Sequence, residues 1–117
     1  MELSNLTVLD IVEGIKTKSF KAVDLVQHYF SNIEKYKDKN AVLEVFEDAI
    51  ARAEEIDSLV ESGDPLPKLV GVPILIKDNI FYKGKVSSSG SKILENYIAD
   101  YNSTVIERLL SAGGIIL

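Results

Sequence analysis

Residues 69–84, LVGVPILIKDNIFYKG, decide how this chain is read. The stretch opens as an apolar run of Val70, Val72, Ile74, Leu75 and Ile76, broken by Gly71 and Pro73, and ends on Lys77. Its length and β-branched content predict a buried strand over residues 70–76, with Pro73 near its start. A lysine at the end of such a strand has two readings. In the plain one, its head escapes to water or pairs with Asp78 or another carboxylate. In the other, burial strips hydration from the charged form, lowers the pKa and leaves a neutral amine that serves as a general base.

Further along, residues 87–91, SSSGS, are small and polar and form a loop. Residues 101–114, YNSTVIERLLSAGG, predict a helix capped by Ser103 or Asn102, packed through Val105, Leu109 and Ala112, and ended by Gly113 or Gly114. Residues 114–117, GIIL, begin another apolar strand. Strand, helix and strand from residue 70 to 117 form a βαβ-like unit, which implies a sheet covered on its faces.

Upstream of the opening stretch the pattern is mostly helical. Val8, Ile11, Val12 and Ile15 recur at the spacing of one buried helix face, with Thr7 and Asp10 as a capping box. Ser19 is the expected cap of a second helix, where Val23, Val26, Phe30 and Ile33 form a stripe widened by Leu25 and Tyr29. His28, the one histidine, lies off that stripe and reads as solvated or partly covered. Residues 41–47, AVLEVFE, are a strand candidate. Asp48 is the expected cap of a third helix, carried by Ile50, Ala53, Ile56 and Val60 and stopped by Gly63. Residues 63–68, GDPLPK, make a loop stiffened by two prolines.

Gly71, Pro73, Lys77, Asp78, Gly84, Gly90, Ser91, Thr104, Val105, Leu109, Ala112 and Gly113 stand in an order that resembles the amidase signature family, with Arg108 before the helix leucine. The resemblance is strong over residues 40–117 and looser over the first two helices. Leu94, Glu95, Asn96 and Asn79 make the chain look most like the N-terminal part of the A subunits of tRNA-dependent amidotransferases. What this implies is an α/β fold: N-terminal helices over residues 1–39, then the first strands and helix of a mixed sheet covered by helices over residues 40–117. The remainder of the amidase domain is expected to lie beyond Leu117.

The family's chemistry, carried over by resemblance, is a Ser–Ser–Lys mechanism with Lys77 as the general base. A bridging serine in a cis peptide relays the proton, and a second serine attacks the amide carbonyl. Both serines lie beyond the matched helix in the family, so their roles are not transferred to Ser87, Ser88, Ser89 or Ser91. A Ser–Lys dyad contained within this chain is disfavoured because nothing supplies oxyanion donors. The loop also lacks the Gly-Lys-Ser/Thr of a phosphate cradle.

The implied substrate of the whole protein is glutamine. Its ammonia would serve amidation of Glu-tRNA(Gln) or Asp-tRNA(Asn) in a complex with B and C subunits. ATP and Mg belong to a companion subunit, tRNA is met only through the complex, and this chain alone is expected to be inactive. The alternatives are a stand-alone amidase of small amides and a short non-catalytic binding module. An uncovered strand edge of this chain is expected to promote self-association.

Composition narrows the field in the same direction. A net charge of −5, from 13 Lys+Arg against 18 Asp+Glu, offers no basic surface for a phosphate backbone. With no cysteine, disulfides, thiolate catalysis and cysteine metal sites are out. No basic leader precedes an apolar core, and no apolar run is long enough to span a bilayer. A cytoplasmic location is expected, with an organelle left open.

Overall fold

A computed structural model describes residues 2–117. Four helices carry the fold: α1 (Val8–Lys16), α2 (Ala22–Lys35), α3 (Ala49–Ser62) and α4 (Thr104–Ser111). Two short strands, β1 (Pro73–Ile74) and β2 (Ile115–Ile116), pair in parallel, with Pro73 opposite Ile115 and Ile74 opposite Ile116. The chain passes from β1 through α4 to β2, the βαβ order expected from residues 70–117.

Helix α1 forms as its spacing predicts. Thr7 Oγ1 accepts the Asp10 N–H at 3.2 Å, and Asp10 Oδ2 accepts the Thr7 N–H at 2.8 Å, so each closes an otherwise open donor. Ile11 and Ile15 face inward, while Val8 is half exposed. In α2 the deepest residues are Ala22, Leu25 and Val26, so Leu25 is at the centre of the face rather than at its margin. Ala49, Ala53 and Ile56 of α3 pack against them, joined by Val70, Val72, Ile115 and Leu117 from the βαβ unit.

Helix capping departs from expectation at three places. Ser19 does not cap α2: its amide bonds the Gly14 carbonyl and its hydroxyl pairs with Thr17. The open N–H groups of Ala22 and Val23 are instead accepted by Asp57 of α3, at 2.7 and 3.2 Å. Asp48 precedes α3 without a side-chain cap bond, because its carboxylate is taken by Lys85 at 3.0 Å. Ser103 occupies the cap position of α4, yet its hydroxyl makes no bond, and Asn102 Oδ1 accepts the Lys83 N–H instead. Gly63 stops α3 as expected.

The strands are shorter than the apolar runs suggest. Residues 41–47 form no strand; one hydrogen bond, from the Phe46 N–H to the Leu117 carbonyl, ties them to the end of β2. Leu43 is 82% exposed, so the pattern that reads as a half-buried strand has no layer to bury against among the described residues. In residues 70–76 only Pro73 and Ile74 join the ladder, because residues 68–71 turn first. Gly71 (φ +75°) and Gly113 (φ +91°) lie at this crossing, where the Gly71 N–H bonds the Gly113 carbonyl at 3.0 Å. A Cβ on Gly113 would stand 2.6 Å from Pro67 Cγ and 3.0 Å from the Val70 backbone, so the two chains meet only as glycine allows.

Helix α4 is also rotated from its expected phase. Ile106 is fully buried, with Phe46, Ile116 and Leu110 around it, whereas Val105 is half exposed.

Candidate active site

Lys77 follows β1 by three residues, where the chain leaves the sheet and turns. The Ile80 N–H bonds the Lys77 carbonyl at 3.0 Å and closes that turn. The lysine is exposed, not buried by the run that precedes it. Of the two readings the sequence left open, the structure shows the one in which the lysine head reaches water; the early end of β1 and the half-exposed Leu75 leave no wall there to desolvate it. Among the described residues Lys77 forms no ion pair, with Asp78 or any other carboxylate.

What lies beside Lys77 is an open cleft of about 630 Å³. Asp78, Ser88 and Glu95 bring polar groups to it, and Phe46, Tyr82 and Leu117 supply apolar walls. The aromatic wall is fixed by an edge-on pair of Phe46 and Tyr82, 5.5 Å between ring centres. Lys85 lies over the Phe46 ring at 5.0 Å while it holds Asp48, which pins the hairpin to the start of α3. Burial raises the Tyr82 hydroxyl pKa, and the Asp48 carboxylate raises it further. Tyr82 is therefore a neutral hydrogen-bonding group at the cleft wall.

The serine loop reaches the cleft through Asp78. Ser87, only 1% exposed, donates its hydroxyl to the Asp78 carbonyl at 3.0 Å, and the Ser89 N–H bonds the same carbonyl at 3.1 Å. The Asp78 side chain takes the Ser88 N–H on Oδ1 at 3.1 Å and the Ser88 hydroxyl on Oδ2. The Ser88 hydroxyl is the main reason the Asp78 carboxyl is held below its ordinary value; the backbone N–H groups of Ser88 and Gly90 and the Lys77 charge add to it, and burial opposes them. Sequence reasoning placed Asp78 in a motif but saw it only as a neighbour of Lys77. The missed signal is a carboxylate nine residues before a run of short hydroxyl side chains, which turn-forming acceptors bind well.

Other singled-out residues lie elsewhere. His28 is partly covered, with Ser4 Oγ and Asn32 Nδ2 each 3.1 Å from Nε2, and it does not line the cleft. The glycines of the motif lie at turns: Gly84 bonds the Ala99 carbonyl at the start of a hairpin in which Val86 bridges Ile98, and Gly90 follows Ser89 in the serine loop.

Residues 24–117 match the Amidase family model. The chain belongs to the amidase family. The amidase match begins within α2, upstream of the region where the sequence motifs are strongest. This amidase chain is 40% identical, over its whole length, to the A subunit of glutamyl-tRNA(Gln) amidotransferase from Thermoanaerobacter pseudethanolicus, of which it covers 24%. It is 41% identical to the protein of the same name from Clostridium novyi, with the same coverage. The matched region is the N-terminal part of these relatives. Among solved structures, a peptide amidase from Stenotrophomonas maltophilia superposes with a TM-score of 0.91 at 28% identity, over 97% of this chain and 24% of that one. A bacterial aryl acylamidase of the amidase signature family superposes with a TM-score of 0.89 at 24% identity, which speaks to the fold. The architecture is thus α/β and corresponds to part of the amidase signature fold.

Proposed function

We propose that this chain forms the N-terminal quarter of the A subunit of a glutamine-hydrolysing, tRNA-dependent amidotransferase. The observation that carries the reading is whole-chain identity of about 40% to relatives named for that subunit, of which the chain spans 24%. In this reading Lys77 is the general base. Its amine takes a proton from a bridging serine hydroxyl, which takes one from the attacking serine. The serine Oγ bonds to the side-chain carbonyl carbon of glutamine; the proton held by the lysine passes back through the bridging hydroxyl to the amide nitrogen, the C–N bond breaks and ammonia leaves; water then adds to the acyl carbon, frees the serine and releases glutamate. By the resemblance to the family both serines lie outside these 117 residues, and in this proposal the chain alone is inert toward glutamine.

The site in this chain fits that role in part. An exposed Lys77 at the wall of an open cleft needs further chain to desolvate it, and the apolar groups of the cleft are ready to be covered. The ammonia passes, in this proposal, to aminoacyl-tRNA activated on a companion subunit, and that subunit holds ATP and Mg. The B and C subunits are the companions, and tRNA meets the complex rather than this chain. The net charge of −5 is in keeping with that.

A chimera tests the reading: this chain in place of the matching quarter of the Thermoanaerobacter pseudethanolicus protein, assembled with its companions. It should hydrolyse glutamine, and Lys77→Ala should lower kcat by about a thousandfold or more, as loss of a base that activates a nucleophile does. A chimera that ignores glutamine but cleaves small amides would favour the second reading, a stand-alone amidase, with which the fold likeness to a peptide amidase is in keeping.

A further inference from the structure

Four hydrogen bonds converge on Asp78 from three consecutive residues of the serine loop. Two reach its backbone carbonyl, from the Ser87 hydroxyl and the Ser89 N–H, and two reach its carboxylate, both from Ser88. On the other side, the Lys77 carbonyl is held in the turn closed by the Ile80 N–H. The Lys77–Asp78 backbone is therefore gripped from both sides, while the Lys77 side chain stands free at the cleft.

The loop bears a cost for this grip. Ser89 adopts φ +51°, and Gly90 follows at φ +69°. A left-handed serine is an uncommon conformation for a residue with a Cβ, and such strain persists where surrounding bonds over-determine it. Its own N–H is one of the four bonds to Asp78. Ser88 is bound again from within the loop, since its hydroxyl oxygen accepts the Gly90 N–H at 3.3 Å. The hydroxyl of Ser88 is thus used as both donor and acceptor, which argues that it is a structural tie and not a nucleophile.

We propose that Asp78 is a positioning residue for the amidase reaction: by clamping residues 87–89 it fixes where the Lys77 side chain enters the cleft. The proposal rests on Lys77 being the base. A four-carbon side chain has its own rotamers, so what the fold can fix is the point and direction from which it starts. Reactive geometry is sensitive at that level, since misplacement by about 1 Å can cost about a hundredfold in rate.

The test has two arms. In the active chimera, Asp78→Asn is expected to lower kcat by about 10- to 100-fold while KM for glutamine stays within about twofold, because binding groups are untouched. Asp78→Glu, which keeps the charge and the acceptors, should recover part of the loss, and Ser88→Ala should show a smaller fall in the same direction. If Lys77→Ala abolishes turnover but Asp78→Asn matches the parent, positioning by Asp78 is wrong and the base stands. If Lys77→Ala itself matches the parent, the functional reading beneath the proposal fails. The second arm uses the 117-residue chain and needs no activity. Ser88 and Ser89 amides should be protected from hydrogen exchange in the parent and lose that protection in Asp78→Ala, which removes both side-chain acceptors, with α2 and α3 amides unchanged. Equal exchange of the two serine amides in parent and variant overturns the clamp, whatever the chimera does.

Discussion

At the scale of single residues, the decisive side chains are short acids used as acceptors for backbone N–H groups. Asp10 serves its own helix and was readable from the Thr7–Asp10 spacing; Asp78 serves a loop ten residues away and was not. The difference is locality: a capping box is complete within one turn, whereas the bonds to Asp78 exist only after the hairpin of residues 84–99 folds back. The Asp78 carboxyl titrates below the ordinary 3.8, chiefly through the Ser88 hydroxyl. A depressed folded pKa means the unfolded chain binds the proton more readily, so this contribution is complete above the ordinary value and is lost as pH falls through the lower folded one. A pH titration of the Ser88 amide chemical shift should therefore stay flat down to about pH 4 and move only below it. A midpoint at or above the ordinary carboxyl value would contradict the bond. Global stability is a poorer probe, since Asp10 is also held low, by Thr7, and Glu61 by Lys18.

At the scale of elements, helices were legible, and strands were legible in their order but not in their extent. The apolar spacing of α1, α2 and α3 carries its own period, and burial of Ile11, Ile15, Val26, Ala53 and Ile56 follows it. In α4 the same reading chose Val105 over Ile106, because a two-turn helix with apolar residues on adjacent positions leaves its phase to the neighbours, here Phe46 and Ile116. The start of α2 shows a cap supplied from another helix. Lys21 at the cap position offers no acceptor, Ser19 is engaged with Thr17, and Asp57 arrives from α3, 35 residues after Ala22. Asp57→Ala should destabilise the chain by about 1–2 kcal/mol, the range of a lost N-cap, and Asp57→Asn by less, since one acceptor oxygen remains. Urea unfolding followed by circular dichroism reads this directly; an unchanged midpoint for Asp57→Ala would mean water serves those N–H groups equally well.

At the scale of the whole molecule, the helical half has a continuous core and the sheet half is thinly covered. The parallel pair has two residues per strand, and large apolar side chains stand in water around it and the hairpin: Leu43, Leu75, Ile93 (94% exposed), Ile98 and Tyr101. Such surface favours association. Sedimentation of the isolated chain should show a concentration-dependent rise above the monomer mass, reduced by Leu43→Lys and Leu75→Lys together; a monomer at every concentration would remove the expectation. The chain spans 24% of the relatives it matches, and among the described residues its sheet has two strands. By itself the sequence determined the three long helices, the βαβ order, the family and the place of Lys77 in the chain, because helical period and an ordered motif are written in consecutive residues. Only the tertiary structure decided that the apolar runs yield two short strands, that Lys77 is exposed, and that Asp57 and Asp78 hold distant backbone. Those outcomes depend on which surfaces meet, and a linear pattern does not encode what stands on the other side of a strand or a carboxylate.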